Sequence, residues 1–211
     1  MKSRLISTAI LSLFLFSFSS FAQTTVTRSL SSFDKIAVSG GYDKVILKEG
    51  STESVTLEVS GIDPDNIKTE VKGSTLEIGM KKGSWSNFKA KITVTYKSIR
   101  ELASSGSSDI VAESVIKGDE FDLATSGSGD FTGTFDVREL EVAISGSSDM
   151  TLKGRADEQE IAISGSGDIN ASELKGKEAE VAISGSGDVK LSVSGPVKTA
   201  VSGSGSVTNN N

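Results

Sequence analysis

The sequence predicts an all-β chain built as a parallel β-helix, a solenoid of ~20-residue coils with a more irregular, strand-rich N-terminal part. The first observation is a recurring phrase, Ser-Gly-Ser-x-Asp followed by an apolar residue. Its copies begin at Ser105, Ser126, Ser145, Ser164, Ser184 and Ser202, with starts 21, 19, 19, 20 and 18 residues apart. The last copy has Ser206 in place of Asp. Self-similarity at one short period means that each repeat is a coil stacked on the next. The second observation is the alternation before each phrase, as in Glu141-Val142-Ala143-Ile144, Glu160-Ile161-Ala162-Ile163 and Glu180-Val181-Ala182-Ile183. Period-2 alternation is that of a half-buried strand, with Val142, Ile144, Ile161, Ile163, Val181 and Ile183 inward and the Glu and Ala columns outward. The third is coil length. It is too short for a helix-containing leucine-rich unit and half the roughly forty residues of a propeller blade. An antiparallel meander with each phrase at a hairpin turn is the competing arrangement, but the same phrase on every period favours parallel coils.

The elements follow in chain order. Residues 1–22 read as a signal peptide: Lys2 and Arg4, an apolar Leu5–Phe18 run broken by Ser and Thr, then Ser20-Phe21-Ala22 before a cut at Gln23. The run is too short and Ser-rich to make a comfortable membrane anchor. Residues 23–100 are a strand-rich region or degenerate coils that cap one end of the solenoid, since a bare coil end invites edge-to-edge pairing. Within them Ile36-Ala37-Val38-Ser39-Gly40 matches the repeat and Val59-Ser60-Gly61 echoes it. Val55–Val59 and Ile92–Tyr96 alternate as strands, and Pro64-Asp65-Asn66 and Gly73-Ser74 are turns. Residues 101–207 are the regular coils: strand, tight Gly-Ser corner, second short strand (Met150 and Leu152; Val189, Leu191 and Val193), polar loop. Residues 208–211 are a frayed polar tail.

Composition narrows the chemistry. The chain has no Cys and no His, so it holds no disulfide, no Ser-His-Asp or Cys-His nucleophile system, and no ordinary zinc or copper site. Any reaction would run on carboxylates, Lys, Arg, Tyr or a hard cation. Removing residues 1–22 takes the formal charge from −6 to −8, which argues against nucleic acid or an anionic membrane as partner. Cations, basic surfaces and neutral glycans are permitted.

Phe33-Asp34-Lys35-Ile36-Ala37-Val38-Ser39-Gly40, then Val45-Ile46-Leu47-Lys48-Glu49-Gly50, then the Ser-Gly-Ser-Gly-Asp coils after Leu102 resemble the head GIN domain family, over residues 30–207. The resemblance implies an exported, right-handed β-helical domain of Bacteroidetes-type envelope proteins, with no catalytic residues to carry over. The family label, "putative auto-transporter adhesin", calls for a C-terminal membrane barrel of ~10-residue alternating strands. Five residues follow Ser206 in this sequence, so self-transport is not expected. The address expected is periplasm, cell surface or medium.

Two groups stand out as candidate sites. Asp109, Asp130, Asp149, Asp168 and Asp188 form a ladder whose neighbours repel by about 1 kcal/mol in water. Asx-turn hydrogen bonds from each Asp's own corner would offset this, and so would bound calcium, which takes oxygen ligands. The loop Lys81–Lys89 holds the single Trp of the chain, and Trp85, Phe88, Lys82 and Lys89 are candidate contacts for a glycan or a protein. The alternative for the loop is that Trp85 packs on the solenoid end. The outward acids Glu101, Asp122, Glu141, Glu160 and Glu180 could pair with the Asp ladder as a two-carboxylate glycosidase. A catalytic pair is singular, however, and these acids recur on every coil. The function expected is therefore a non-enzymatic, adhesin-like envelope protein that binds a glycan or a protein. A carbohydrate-active β-helix enzyme and a calcium-stabilised spacer are the alternatives.

Overall fold

The computed structural model describes residues 23–211. The expected signal peptide lies outside the described residues. The fold is a β-solenoid whose coils stack with in-register parallel pairing. The first full coil is β2 (Lys35–Gly40) and β3 (Lys44–Glu49), followed in space by β8 (Glu101–Gly106) and β9 (Ile110–Ala112). Then come β10 (Ile116–Gly127), β11 (Phe131–Gly146), β12 (Met150–Gly165), β13 (Ile169–Gly176) with β14 (Glu178–Gly185), and β15 (Val189–Val193) with β16 (Val197–Gly203). The last strand is β17 (Val207–Asn209), paired with β15. One sheet strip runs β2–β8–β10–β11–β12–β14–β16 through the strand segments that precede each corner.

Residues cycle strictly between faces. Val142, Ile144, Ile161, Ile163, Val181 and Ile183 are all buried, while Glu141, Glu160 and Glu180 are exposed, as the alternation requires. Mid-solenoid the interior is filled by aromatic rings, with Phe135 lying 5.5 Å from Phe121 and 6.1 Å from Phe131 between centroids.

Corners repeat as closely as strands. All six Ser-Gly pairs stand in one column, and Ser39-Gly40 adds a seventh. The residue after each Gly donates its N–H to the Gly carbonyl of the coil before, as in Ser128 to Gly106 at 2.9 Å and Ser166 to Gly146 at 2.8 Å. Gly127 has φ 143°, and a Cβ there would fall 2.0 Å from the Gly106 oxygen. Only glycine supplies both the left-handed backbone and the room for this close stacking.

The N-terminal part departs from chain order. After β3, β4 (Ser54–Ser60) pairs antiparallel with β7 (Lys89–Tyr96), and β5 (Ile67–Lys72) pairs antiparallel with β6 (Thr75–Met80). Strands β6 and β7 then form a coil beneath β2–β3, pairing parallel with each. The chain crosses back to β8 on the opposite side of β2. The Val59-Ser60-Gly61 echo is accordingly not a coil corner, because its strand runs antiparallel in the cap. β1 (Thr24–Ser29) closes the outer edge against β4. From β1, Arg28 donates to the Ile67 carbonyl at 2.7 Å, Thr69 Oγ1 at 2.9 Å and the Pro64 carbonyl at 2.9 Å, tying the cap's two antiparallel pieces together. At the other end Asn209, expected within a frayed tail, belongs to β17. Its carboxamide donates to the Val193 carbonyl at 2.8 Å and accepts the Val193 N–H at 2.9 Å.

Candidate functional site

In-register stacking turns three outward positions of each coil into columns. The first reads Lys35, Glu101, Asp122, Glu141, Glu160, Glu180, Lys198. The second is Ala at 37, 103, 124, 143, 162, 182 and 200, and the third is Ser at 39, 105, 126, 145, 164, 184 and 202. Because Ala and Ser are short, the strip they form is a groove of about 1210 Å³, with the acid column running beside it. It crosses the strands from β6 to β16, a span of ~34 Å at ~4.8 Å per step. Glu77, Met80 and Lys68 of the β5–β6 hairpin stand at its cap end. The sequence carried the signal in two unbroken columns of small residues. Their concavity depends on neighbours that only stacking supplies.

One flank of the groove is negative. The outermost acids of the column are paired, Glu101 with Lys35 and Glu180 with Lys198 at 3.7 Å. A second acid set beside it is partly neutralised by Arg138, which reaches Glu139 at 2.9 Å and Glu158 at 3.1 Å. Among the described residues Asp122, Glu141 and Glu160 have no ion-pair partner. Partial burial, and then the charges of Asp122, Glu160, Glu120 and Glu139, push the Glu141 carboxyl above its usual range.

The Asp ladder lies beyond the corner. Each Oδ1 accepts the backbone N–H of the next ladder residue: Asp109 from Asp130 at 3.2 Å, Asp130 from Asp149 at 3.0 Å, Asp149 from Asp168 at 3.0 Å, Asp168 from Asp188 at 2.8 Å. Ser206 completes the run on Asp188 through its N–H at 2.9 Å and its hydroxyl at 2.7 Å. The own-corner bond expected from the sequence is thus replaced by a coil-to-coil relay, because parallel stacking aims the next coil's N–H at the carboxylate. No group of three or more acidic side chains converges to hold a metal ion among the described residues. The outward acid column and the ladder sit on opposite sides of the groove. Glu141 to Ser145 alone spans ~13 Å of strand, beyond the ~5–9.5 Å of a two-carboxylate pair.

The Trp85 loop replaces a corner in the β6–β7 coil and leaves directly from groove residue Met80. Its aromatics separate. Phe88 is half-buried against the core. Trp85 is 37% exposed, donates Nε1–H to the Lys81 carbonyl at 3.0 Å, and lies over Gly83, where a Cβ would meet its ring at 2.8 Å. Lys82 and Lys89 are exposed. The loop thus offers one aromatic surface and two cations at the cap end.

A crystal structure of a putative adhesin from Bacteroides fragilis superposes with TM-score 0.77 at 22% identity, covering 90% of this chain and 98% of that one. A putative lipid binding protein from Parabacteroides distasonis gives TM-score 0.68 at 20% identity, covering 90% and 97%. A putative adhesin from Parabacteroides merdae gives 0.59 at 20%, covering 90% and 96%. Among curated protein sequences none matches this chain. At these identities the likeness shows the fold. The family model described as "Putative auto-transporter adhesin, head GIN domain" matches residues 32–211, nearly every described residue, and so the chain belongs to the head GIN domain family.

Proposed function

We propose that the chain is an exported, non-enzymatic cell-envelope protein that binds an extended glycan or protein segment along the Ala–Ser groove, with the Trp85 loop gripping its end. The observation that carries this reading is the groove itself, open along its length and presenting the same methyl and hydroxyl on seven successive coils from β2 to β16. A periodic surface suits a periodic partner: a linear glycan or an extended strand can place one repeat over each coil. The unpaired Asp122, Glu141 and Glu160 flank favours a neutral or basic partner over an acidic one.

The test is a glycan array with a basic-peptide array beside it, followed by titration of hits against Ala143→Trp and Ala162→Trp. Both substitutions fill the groove from an outward position and should leave the core intact. A ligand of the groove should lose at least tenfold in affinity to either variant and shift the emission of Trp85. Lipid vesicles belong in the same experiment, since one structural neighbour is described as a lipid binding protein. Hits that ignore both Trp substitutions would remove the groove from the proposal, and absence of any hit would remove the binding role.

A further inference from the structure

The carboxylates of the acid column stack in register, and they are not equivalent. Glu101 is paired with Lys35, and Glu180 with Lys198 at 3.7 Å. Asp122 has no such partner among the described residues, and its Oδ1 is sealed from solvent with no hydrogen bond to accept. A buried acceptor without a donor is costly, and more so on a charged group. The cations flanking the column are engaged elsewhere. Arg100 donates to Asp34 at 2.8 Å, Lys35 serves Glu101, and Arg138 reaches Asp119, Glu139 and Glu158 at 2.9, 2.9 and 3.1 Å. Asp122 stands in register between Glu101 and Glu141, at a coil spacing of ~4.8 Å. Of these two, Glu141 is free of any ion pair among the described residues. Partial burial, and then the charges of Asp122, Glu160, Glu120 and Glu139, make it take up a proton at higher pH than an ordinary carboxyl.

We propose that Asp122 and Glu141 hold one proton between them in mild acid, donated by Glu141 to Asp122 Oδ1, and that this proton sets how firmly the groove holds a basic partner. The partner rests on the groove reading above, and the proton on the stack alone. The proton comes from solvent and gives the sealed oxygen the donor it lacks. Glu160 stacks on the other side of Glu141, but it has no sealed oxygen to receive a proton. The other acids facing the pair are Glu101 on its coil-ward side and Glu120, Glu139 and Glu158 in the neighbouring column, the last two already held by Arg138. Protonation therefore removes one charge from the unpaired run of Asp122, Glu141 and Glu160. Lys and Arg of a partner keep their charge throughout this range, so the change lies in the protein. A basic partner is held above the Glu141 midpoint and loosened below it.

Carboxyl carbon shifts followed by NMR against pH test the proton, with far-UV circular dichroism as the folding control. Asp122→Asn keeps the shape and removes the neighbouring charge. It should lower the Glu141 midpoint by ~0.5 pH unit or more, the size of one like charge a coil away. Glu160→Gln should lower it less. A midpoint that Asp122→Asn leaves in place, or that Glu160→Gln lowers as far, would overturn the shared proton. Oligolysine, titrated by calorimetry at constant ionic strength on either side of that midpoint, reads the consequence. The parent chain should bind it about fivefold more weakly on the acid side. Glu141→Gln, fixed in the neutral form, should bind weakly on both sides with little change between them. The same pH dependence in Glu141→Gln as in the parent would overturn the role of the proton. Oligolysine that binds at neither pH, or that ignores Ala162→Trp, would remove the basic partner of the groove and with it the second half of the proposal, whatever the titration shows.

Discussion

Gly127 and Asp149 divide the work of stacking between backbone and side chain. Gly127 accepts the Ser147 N–H at 2.9 Å while its own Cα hydrogen faces the carbonyl of Gly106. Gly127→Ala combines a positive φ with a steric collision. It should cost about 3 kcal/mol or more in a urea melt, against a small fraction of that for Ala at an ordinary strand position. Asp149 serves as acceptor for the Asp168 N–H. Asp149→Ala should cost about 1 kcal/mol. Asp149→Asn keeps an acceptor and removes ladder repulsion, so it should be neutral or stabilising. Calcium gives the contrasting outcome. If the ladder is only a hydrogen-bond relay, adding calcium leaves the melting temperature of both proteins unchanged. A rise in the parent chain that Asp149→Asn abolishes would make the ladder a cation site.

At the scale of the element, the acid column makes stability depend on pH. Glu141 is held above its ordinary carboxyl range by partial burial and by four neighbouring acids. A raised pKa means that folding favours the protonated form. That stabilisation is fully present below the ordinary value of ~4.3 and is lost as pH rises through the raised value. Glu141→Gln should therefore melt higher than the parent near pH 7, by about 0.5 kcal/mol or less because the group is largely solvated. The gap should close near pH 4 and narrow in high salt. A variant that melts lower at pH 7 would mean that Glu141 makes a favourable contact instead. Alternation alone predicts this column as an exposed Glu face. The unpaired middle of the column was not legible, because the pairing of its ends depends on Lys35 and Lys198 reaching across coils.

The whole molecule is a stack closed at its N-terminal end by a cap, and the cap depends on one staple. Arg28→Ala removes four donor contacts, two to the Pro64–Asn66 turn (the Pro64 carbonyl and the Asp65 carboxylate) and two to β5 (the Ile67 carbonyl and Thr69 Oγ1). It should cost about 1.5–3 kcal/mol, the range for hydrogen bonds from charged groups. Hydrogen exchange should locate the loss in β1 and β5, leaving β11 and β12 protected, since repeats contact mainly their neighbours. Uniform deprotection would show that cap and coils unfold as one unit.

Much of this architecture is determined by the sequence alone. A translational repeat places identical residues over one another, so the Ser-Gly spacing fixed the coil and the corner column and marked Ser39-Gly40 as a match to it, while its stacking on Ser105-Gly106, 66 residues on, was decided by the cap. Alternation fixed which side chains enter the core, because a one-residue shift would have inverted every face. What only the tertiary structure decided has no period. The β6–β7 coil inserts beneath β2–β3 although it follows them in the chain, through pairings that no local pattern announces, and Val59-Ser60-Gly61 mimics a corner while lying in an antiparallel strand. The groove is of the same kind. Ala and Ser columns are merely small in sequence, and they become a bounded surface once stacking aligns them and the β5–β6 hairpin closes the end. Periodic contacts are legible because each repeats the same local chemistry. Boundaries are not, because they arise where unlike segments meet.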